Sequence, residues 1–398
     1  MIKLYTRYSK CKILSILLVA WIYIYALFYF VPLIVPSSTL LMYILLLFFD
    51  IIIFSTNRNF PTGILKFLLA YILVVLFNIL AVSYKYYVII DAFSGMAVFL
   101  PALLIISSPQ FELDEFLKEW YRLAIIVTVI SPIAIILVQY KRIDYGVFTY
   151  LNLPNSIVLA FYFMILEKGE RSKKVSFLFA VLNCLIILAF GGRMAGFVAA
   201  LAIFLGYMLS TSVRLIKKVF IIFLMGSIGI LIISNLYIIL QYVQKLLMIF
   251  NLNSRSISLL IEQVSNGTGI YMTRRNVIYE EIVQYIKNRV GLPGGFGVSL
   301  YVSNGQFYHP HNLALQLAVM FGIVGEVIIV VLIFWRLSKI KRNYQLFEYQ
   351  FTLLILIEYL VLSLTGGSIL NNFIAIIGIG MLFFYKGTHS QLPGSGDN

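Results

Sequence analysis

Long apolar runs cut by short clusters of charge set the rhythm of this chain. A helix needs roughly 20 apolar residues to cross a bilayer. Windows of about that length predict twelve spans, near residues 13–35, 39–54, 64–82, 87–107, 122–139, 153–167, 175–191, 194–210, 218–239, 311–335, 350–365 and 369–386. The second and sixth are short, and "GGRM" alone parts the seventh from the eighth. The tenth reads as one rigid helix that opens at "HNLALQLAVMFG".

Between the ninth and tenth spans the rhythm fails, over residues 240–310. Within that stretch "TRRNVIYEEIVQYIKNRV" brings Val277, Ile278, Ile282, Val283 and Ile286 round at helical spacing, with charge on the opposite side. That pattern predicts an amphipathic helix, lying on a membrane surface or capping a cavity. The rest reads as one integral membrane domain over 1–398, with a large external loop at 240–310 and a disordered cytoplasmic tail at 387–398.

Composition agrees. Hydrophobic residues make up 61% of 398 and charged residues 12%, with a mean hydropathy of +0.97. Soluble domains carry about 25% charge, so the chain is an all-α polytopic membrane protein. A net charge of +14 would point to nucleic acid in a soluble protein. In a membrane protein, basic residues instead gather in cytoplasmic loops and against anionic headgroups, so nucleic acid is not an expected partner and membrane lipids are.

With the N-terminus inside, 20 of the 30 basic residues fall on cytoplasmic flanks, against Lys85, Lys141 and Arg142 in the short external loops. Both termini are therefore expected in the cytoplasm. The opening "MIKLYTRYSKCKILSILLVAWIYIYALF" is basic and then apolar, but its apolar part is longer than a signal core and no small-residue cleavage site follows. It reads as an uncleaved first span. Cys11 and Cys184 build no disulfide framework. Asp91, Glu326 and Glu358 fall inside spans, where a charge is functional by default. Asn78 and Asn183 read as interhelical glue.

Basic residues outside the pattern carry the candidate chemistry. Six lie in 240–310 and the seventh, Arg193, sits in the tight outer turn. Arg193, Arg274, Arg275, His309 and His311 are expected to converge on the outer side. Arginine forks two N–H bonds onto phosphate oxygens, and histidine takes a proton near neutral pH. Together they make a site for displacing a phosphate-type leaving group. Plainer readings stand beside this one. Arg193 could snorkel to headgroups, one of Arg274 and Arg275 could be merely solvated, and His311 with Asn312 could simply start a helix. His309 and His311 lack the further ligands that a metal shell needs, so neither metal nor cofactor is expected.

Three motifs carry a resemblance. "HPHNLALQLAVMFGIVGE" resembles the hallmark of the bacterial O-antigen ligase and polymerase family, with His311, Asn312, Gly322 and Gly325 in the family's places. "AFGGRMAGFVAALAIFLG" resembles its Ser-Arg-Gly span opening, with Gly192 for Ser and Arg193 retained. "TRRNVIYEEIVQYIKNRVGLPGGFGV" resembles its Arg-x-x-x-Trp … Pro-x-x-Gly-x-Gly segment, with Arg275 four residues before Tyr279 (which replaces Trp) and Pro293, Gly295 and Gly297 behind. The three stand in the family's order and cover roughly residues 185–330.

The resemblance implies a GT-C-like glycosyltransferase of about twelve spans in the bacterial cytoplasmic (inner) membrane. It would act outside the membrane on undecaprenyl-diphosphate-linked oligosaccharide, with inversion and without metal. Carried over by motif, Arg193 and Arg275, with Arg274 beside them, would bind the diphosphate. His311 would orient or deprotonate the acceptor, and Asn312, Gly295, Gly297 and His309 would support. A repeat-unit polymerase for O-antigen or capsule, possessing or lacking a chain-length regulator as partner, fits better than a ligase. A lipid-glycan flippase or transporter is the reading from a different class; such proteins hold polar groups near the midplane on broken helices.

Overall fold

The computed structural model describes residues 2–30, 38–56, 61–166, 170–210, 214–265, 275–364 and 372–387. Arg274 and nearly all of the tail lie outside the described residues. The described chain is helical, without strands. In order it forms α1 (Ile2–Phe30), α2 (Ser38–Thr56), α3 (Thr62–Ala81), α4 (Lys85–Ile106), α5 (Leu113–Gln139), α6 (Val147–Phe161), α7 (Glu170–Phe190) and α8 (Arg193–Leu209). There follow α9 (Leu215–Ser234), α10 (Leu236–Ile249), α11 (Arg255–Ser265), α12 (Arg275–Asn288), α13 (Val298–Val302), α14 (Leu313–Asn343), α15 (Leu346–Ser363) and α16 (Phe373–Phe383).

Among the described residues seven helical stretches are long and apolar enough to cross a membrane: α3, α4, α5, residues 173–190 of α7, α9, α14 and α15. Shorter apolar helices include α6, α8 and α16. This is an all-helical membrane protein.

The chain divides into two compact units. The first comprises Met1–Trp21, Thr39–Phe116 and Thr273–Asn398; the second comprises Ile22–Ser38 and Leu117–Met272.

In the first unit Val88 and Ala92 of α4 pack with Ile278 and Ile282 of α12, Phe296, and Val319 and Met320 of α14. Ile278 and Ile282 are one turn apart and both fully buried, so α12 lays its apolar stripe on protein. Val277, expected on that stripe, is instead exposed; it sits one position off the 278–282–286 line, a rotation of roughly 100°.

The far end of α14 is clamped by polar contacts. Glu348 closes a capping box with Gln345, accepting from its backbone N–H at 2.8 Å, and accepts from the Tyr385 hydroxyl at 2.6 Å. Arg336 donates to Leu382 O at 2.7 Å.

The second unit is centred on a buried asparagine network. Asn183 of α7 donates to Thr128 of α5 at 2.7 Å and accepts from Asn152 and Asn155 of α6 at 2.8 and 3.1 Å. Asn155 also accepts from the Tyr23 hydroxyl, which in turn accepts from the Trp120 indole at 3.2 Å. These three asparagines are fully buried, and an amide in an apolar core is tolerable only when so bonded. Asn183 thus joins three helices, as its reading as interhelical glue expected.

Two predicted spans are interrupted. The ninth window, 218–239, ends its helix at Ser234, and Asn235 leaves helical geometry before α10 begins. The tenth is not one rigid helix: Gly322 adopts φ 73 and ψ 167 inside α14.

Candidate functional site

The break at Gly322 has a specific cause. In a regular helix Val319 O and Met320 O would accept from residues four further on. Here the loop after α12 takes them: Gly294 N donates to Val319 O at 2.7 Å and Gly295 N to Met320 O at 2.9 Å. Ile323 N turns to Gly291 O at 3.1 Å. The loop has replaced part of one turn of the helix ladder, and these three backbone groups stay satisfied.

The same loop is held from its other side by the α3–α4 hairpin. Asn78 Oδ1 accepts from Phe296 N at 3.0 Å, and Asp91 Oδ2 accepts from Gly297 N at 2.8 Å. The Tyr84 hydroxyl donates to Gly294 O at 2.5 Å. Burial raises the Tyr84 phenol above its ordinary range, helped by the Tyr285 hydroxyl and opposed by Arg289, so it stays protonated and able to donate.

Gly295 and Gly297 both take positive φ, at 83° and 71°. A Cβ on Gly297 would stand 2.4 Å from the Tyr87 carbonyl carbon, and one on Gly295 would stand 2.0 Å from Asn78 Nδ2. At both positions the close approach of the α3–α4 hairpin leaves no room for a side chain.

About three turns before the break, the histidines sit just ahead of the start of α14. The His309 and His311 rings are 4.4 Å apart at 61°, and Phe307 lies edge-on to His311 at 6.2 Å. Asn312 caps α14, its side chain accepting from Leu315 N at 3.1 Å. The helix-start reading thus holds for Asn312. His311 stands just before the cap with φ 55, a left-handed setting that costs a non-glycine residue roughly 1–3 kcal/mol and that gathers at functional sites.

The Tyr279 hydroxyl donates to His311 O at 3.2 Å. That bond joins two of the sequence motifs, because Tyr279 stands one turn into α12, whose first residue is Arg275. Arg275 is placed by its backbone; its side chain lies outside the described residues.

Arg193 belongs to the second unit. It opens α8 directly after the Gly191–Gly192 turn, and its guanidinium donates to Gln263 Oε1 of α11 at 2.5 Å. That partner is neutral, so the bond positions the charge without cancelling it. α11 is pinned there by Ser254 and Ser256, whose hydroxyls donate to Ala189 O and, at 2.5 Å, to Gly191 O. These carbonyls at the end of α7 lack partners in their own helix.

The predicted residues therefore fall in two places: His309, His311, Asn312, Gly295, Gly297 and the backbone of Arg275 in the first unit, and Arg193 in the second. Among the described residues no group of three or more His, Cys, Asp or Glu side chains could hold a metal ion.

Asp91, read from sequence as a candidate midplane charge, is engaged in holding the glycine loop. Sequence reasoning passed over Tyr84, Ser254 and Ser256 because a lone hydroxyl in a loop carries no periodic signal.

Fold and site together define a polytopic, all-helical membrane protein whose histidine pair stands at the start of a broken apolar helix, braced by a glycine loop. No protein-family model matches the chain, and no curated protein matches it.

Proposed function

We propose that this protein is a polysaccharide polymerase of the O-antigen or capsule type, a GT-C-like membrane glycosyltransferase of about twelve spans with both termini in the cytoplasm. On this reading it works on the outer face of the bacterial cytoplasmic membrane, moving a growing glycan from undecaprenyl diphosphate onto a lipid-linked repeat unit with inversion. His311 orients or deprotonates the acceptor hydroxyl. Arg193 and Arg275, with Arg274, neutralise the departing diphosphate, as positioned guanidinium groups can.

The observation that carries the reading is the Tyr279–His311 bond. It ties Tyr279, one turn after Arg275 in α12, to the backbone of the histidine expected to handle the proton. On this reading the α12 and α14 motifs, far apart in sequence, serve one site, as leaving-group binding and proton transfer require.

Purified protein supplied with lipid-linked repeat units should lengthen them, and should do so in excess EDTA. His311→Ala should remove nearly all polymer, since general-base help is typically worth about 10²–10⁴ in rate, while His309→Ala leaves substantial product. Equal activity in the two variants would refute the assignment. Arrest by EDTA with rescue by magnesium would remove the arginine-only account of the leaving group.

One observation favours transport as the second reading. Glu358 of α15 is fully buried, and among the described residues neither of its carboxyl oxygens has a hydrogen-bond partner, which is how a membrane-embedded proton carrier looks. Against it, the broken helix α14 spends its freed backbone groups on the glycine loop. Vesicles that move lipid-linked glycan across the bilayer without joining it would decide for transport.

A further inference from the structure

The second unit contains a cavity of about 910 Å³ that the catalytic reading leaves unused. Its walls are the α5–α6 connection, the α10–α11 turn, Phe190, and Phe28 with Tyr29 near the end of α1.

The walls are braced. Gln139 exchanges two hydrogen bonds with the backbone of Asn253, donating to its carbonyl at 2.7 Å and accepting from its N–H at 2.9 Å. Asp144 accepts from Gly146 N at 2.7 Å, and a Cβ on Gly146 would stand 2.6 Å from the Tyr29 hydroxyl. Such a cavity is largely formed before a ligand arrives, which lowers the ordering cost of binding.

Among the described residues three cations line it, Lys141, Arg142 and Arg255, against one carboxylate, Asp144. Among the described residues none of the three cations is in an ion pair. Arg255 lies 4.8 Å over the Tyr145 ring, a cation–π contact that aims the guanidinium and leaves its charge intact. Lys141 closes α5 in the left-handed conformation, with Arg142 N donating to Leu137 O at 2.9 Å. That helix-ending position normally belongs to glycine or asparagine. In the orientation proposed above, this connection is external, so a Lys-Arg pair there runs against the positive-inside rule. A binding role accounts for both departures.

Size and lining narrow the ligand. The volume lies at the upper end of the range for small-molecule pockets, far more than one phosphate fills. Among the described residues Val138 and Ile143 are the only aliphatic side chains in the lining; the rest are aromatic rings, hydroxyls, amides and charges. That suits a sugar ring laid on an aromatic face better than acyl chains, with Asp144 and Ser258 to meet its hydroxyls.

We propose that this cavity binds an acidic saccharide, its sugar ring against Tyr145 or Tyr29 and its carboxylate forked by Arg142 and Arg255, so that the glycan handled by this protein carries uronic acid or a comparable anionic sugar. The inference rests on the polymerase reading only in naming a glycan as the ligand.

The test is a titration of the full-length protein in detergent with a glucuronate-containing tetrasaccharide, a neutral glucose tetrasaccharide and phosphatidylglycerol mixed micelles. The acidic tetrasaccharide should bind at least tenfold tighter than the neutral one and should weaken with salt, since exposed charges are screened. Arg142→Gln and Arg255→Gln should each weaken it about tenfold. Both residues are exposed, so thermal unfolding should match the parent protein and exclude misfolding. Absence of binding by the acidic probe, equal binding of the two tetrasaccharides, or indifference to both substitutions overturns the proposal. Displacement of the acidic probe by phosphatidylglycerol overturns it in favour of a lipid headgroup site. His311→Ala should bind the probe like the parent, so loss of polymer with binding intact counts against neither claim. Binding by a protein that never joins glycans would sink the polymerase reading alone.

Discussion

α3 and α4 are consecutive helices of comparable length and hydropathy in the same unit, yet 6% of the apolar window of one is buried against 67% of the other. α3 offers leucine, isoleucine and phenylalanine all round, and Phe77 and Leu80 stay 73% and 81% exposed. α4 carries Asp91, Ala92, Ser94, Gly95 and Ala102, all buried. Small side chains let neighbours close in, as where the Tyr71 hydroxyl reaches Ala92 O at 2.8 Å. Asp91 adds a directed bond to the glycine loop. Hydropathy tells which segments can cross a bilayer. Small residues and an in-span carboxylate tell which one is enclosed by protein.

The sharpest test of this contrast is Gly297→Ala. The new methyl would meet the Tyr87 backbone, which cannot swing aside, and the left-handed setting alone costs about 1–2 kcal/mol. Polymer should be lost, and the thermal midpoint in detergent should fall further than for Asp91→Ala, Asn78→Ala or Leu80→Ala. Gly295→Ala meets the Asn78 side chain first, which can turn aside at the loss of its bond to Phe296 N, so its midpoint should fall less.

Next comes Asp91→Ala, which leaves Gly297 N buried without its acceptor at a cost of about 1–3 kcal/mol. Asp91→Asn keeps an acceptor oxygen and should recover more than half of the lost stability by the same unfolding measurement. An unchanged midpoint for Asp91→Ala would mean that α4 is held by its small residues alone.

Asn78→Ala removes one neutral bond from α3 to the loop and should cost about 1 kcal/mol. Smallest of all, Leu80→Ala should stay within about 0.5 kcal/mol, as exposed substitutions do. A drop of several degrees at Leu80 would show that the outward face of α3 is covered by another protein surface and not by lipid.

Much of this was legible in the residues. Among the described residues the apolar windows fall on helices, the ninth and tenth with a break in each. The α12 periodicity put Ile278 and Ile282 on the inward stripe, and Asn183 was read as interhelical glue. What escaped was the identity of partners. Asp91 looked like a transport group because a carboxylate in a span is costly wherever it lies; that it serves Gly297, 206 positions away, depends on where the loop comes to rest. Arg193 read as a phosphate ligand or a headgroup anchor, and its bond to Gln263 spans 70 positions. The serines that hold α11 to α7 carried no signal, since serine is common in any loop.

By itself the sequence determined that this is an all-helical membrane protein and where most of its long apolar helices run. Both follow from local quantities: the length of an apolar run against the bilayer, and a helix that satisfies its own backbone within each segment. The tertiary structure alone decided that α14 breaks at Gly322, that α4 is enclosed while α3 is not, and that Tyr279 meets His311. Each of these depends on which backbone groups, far apart along the chain, are brought within hydrogen-bonding reach, and that distance is a property of packing which no local pattern encodes.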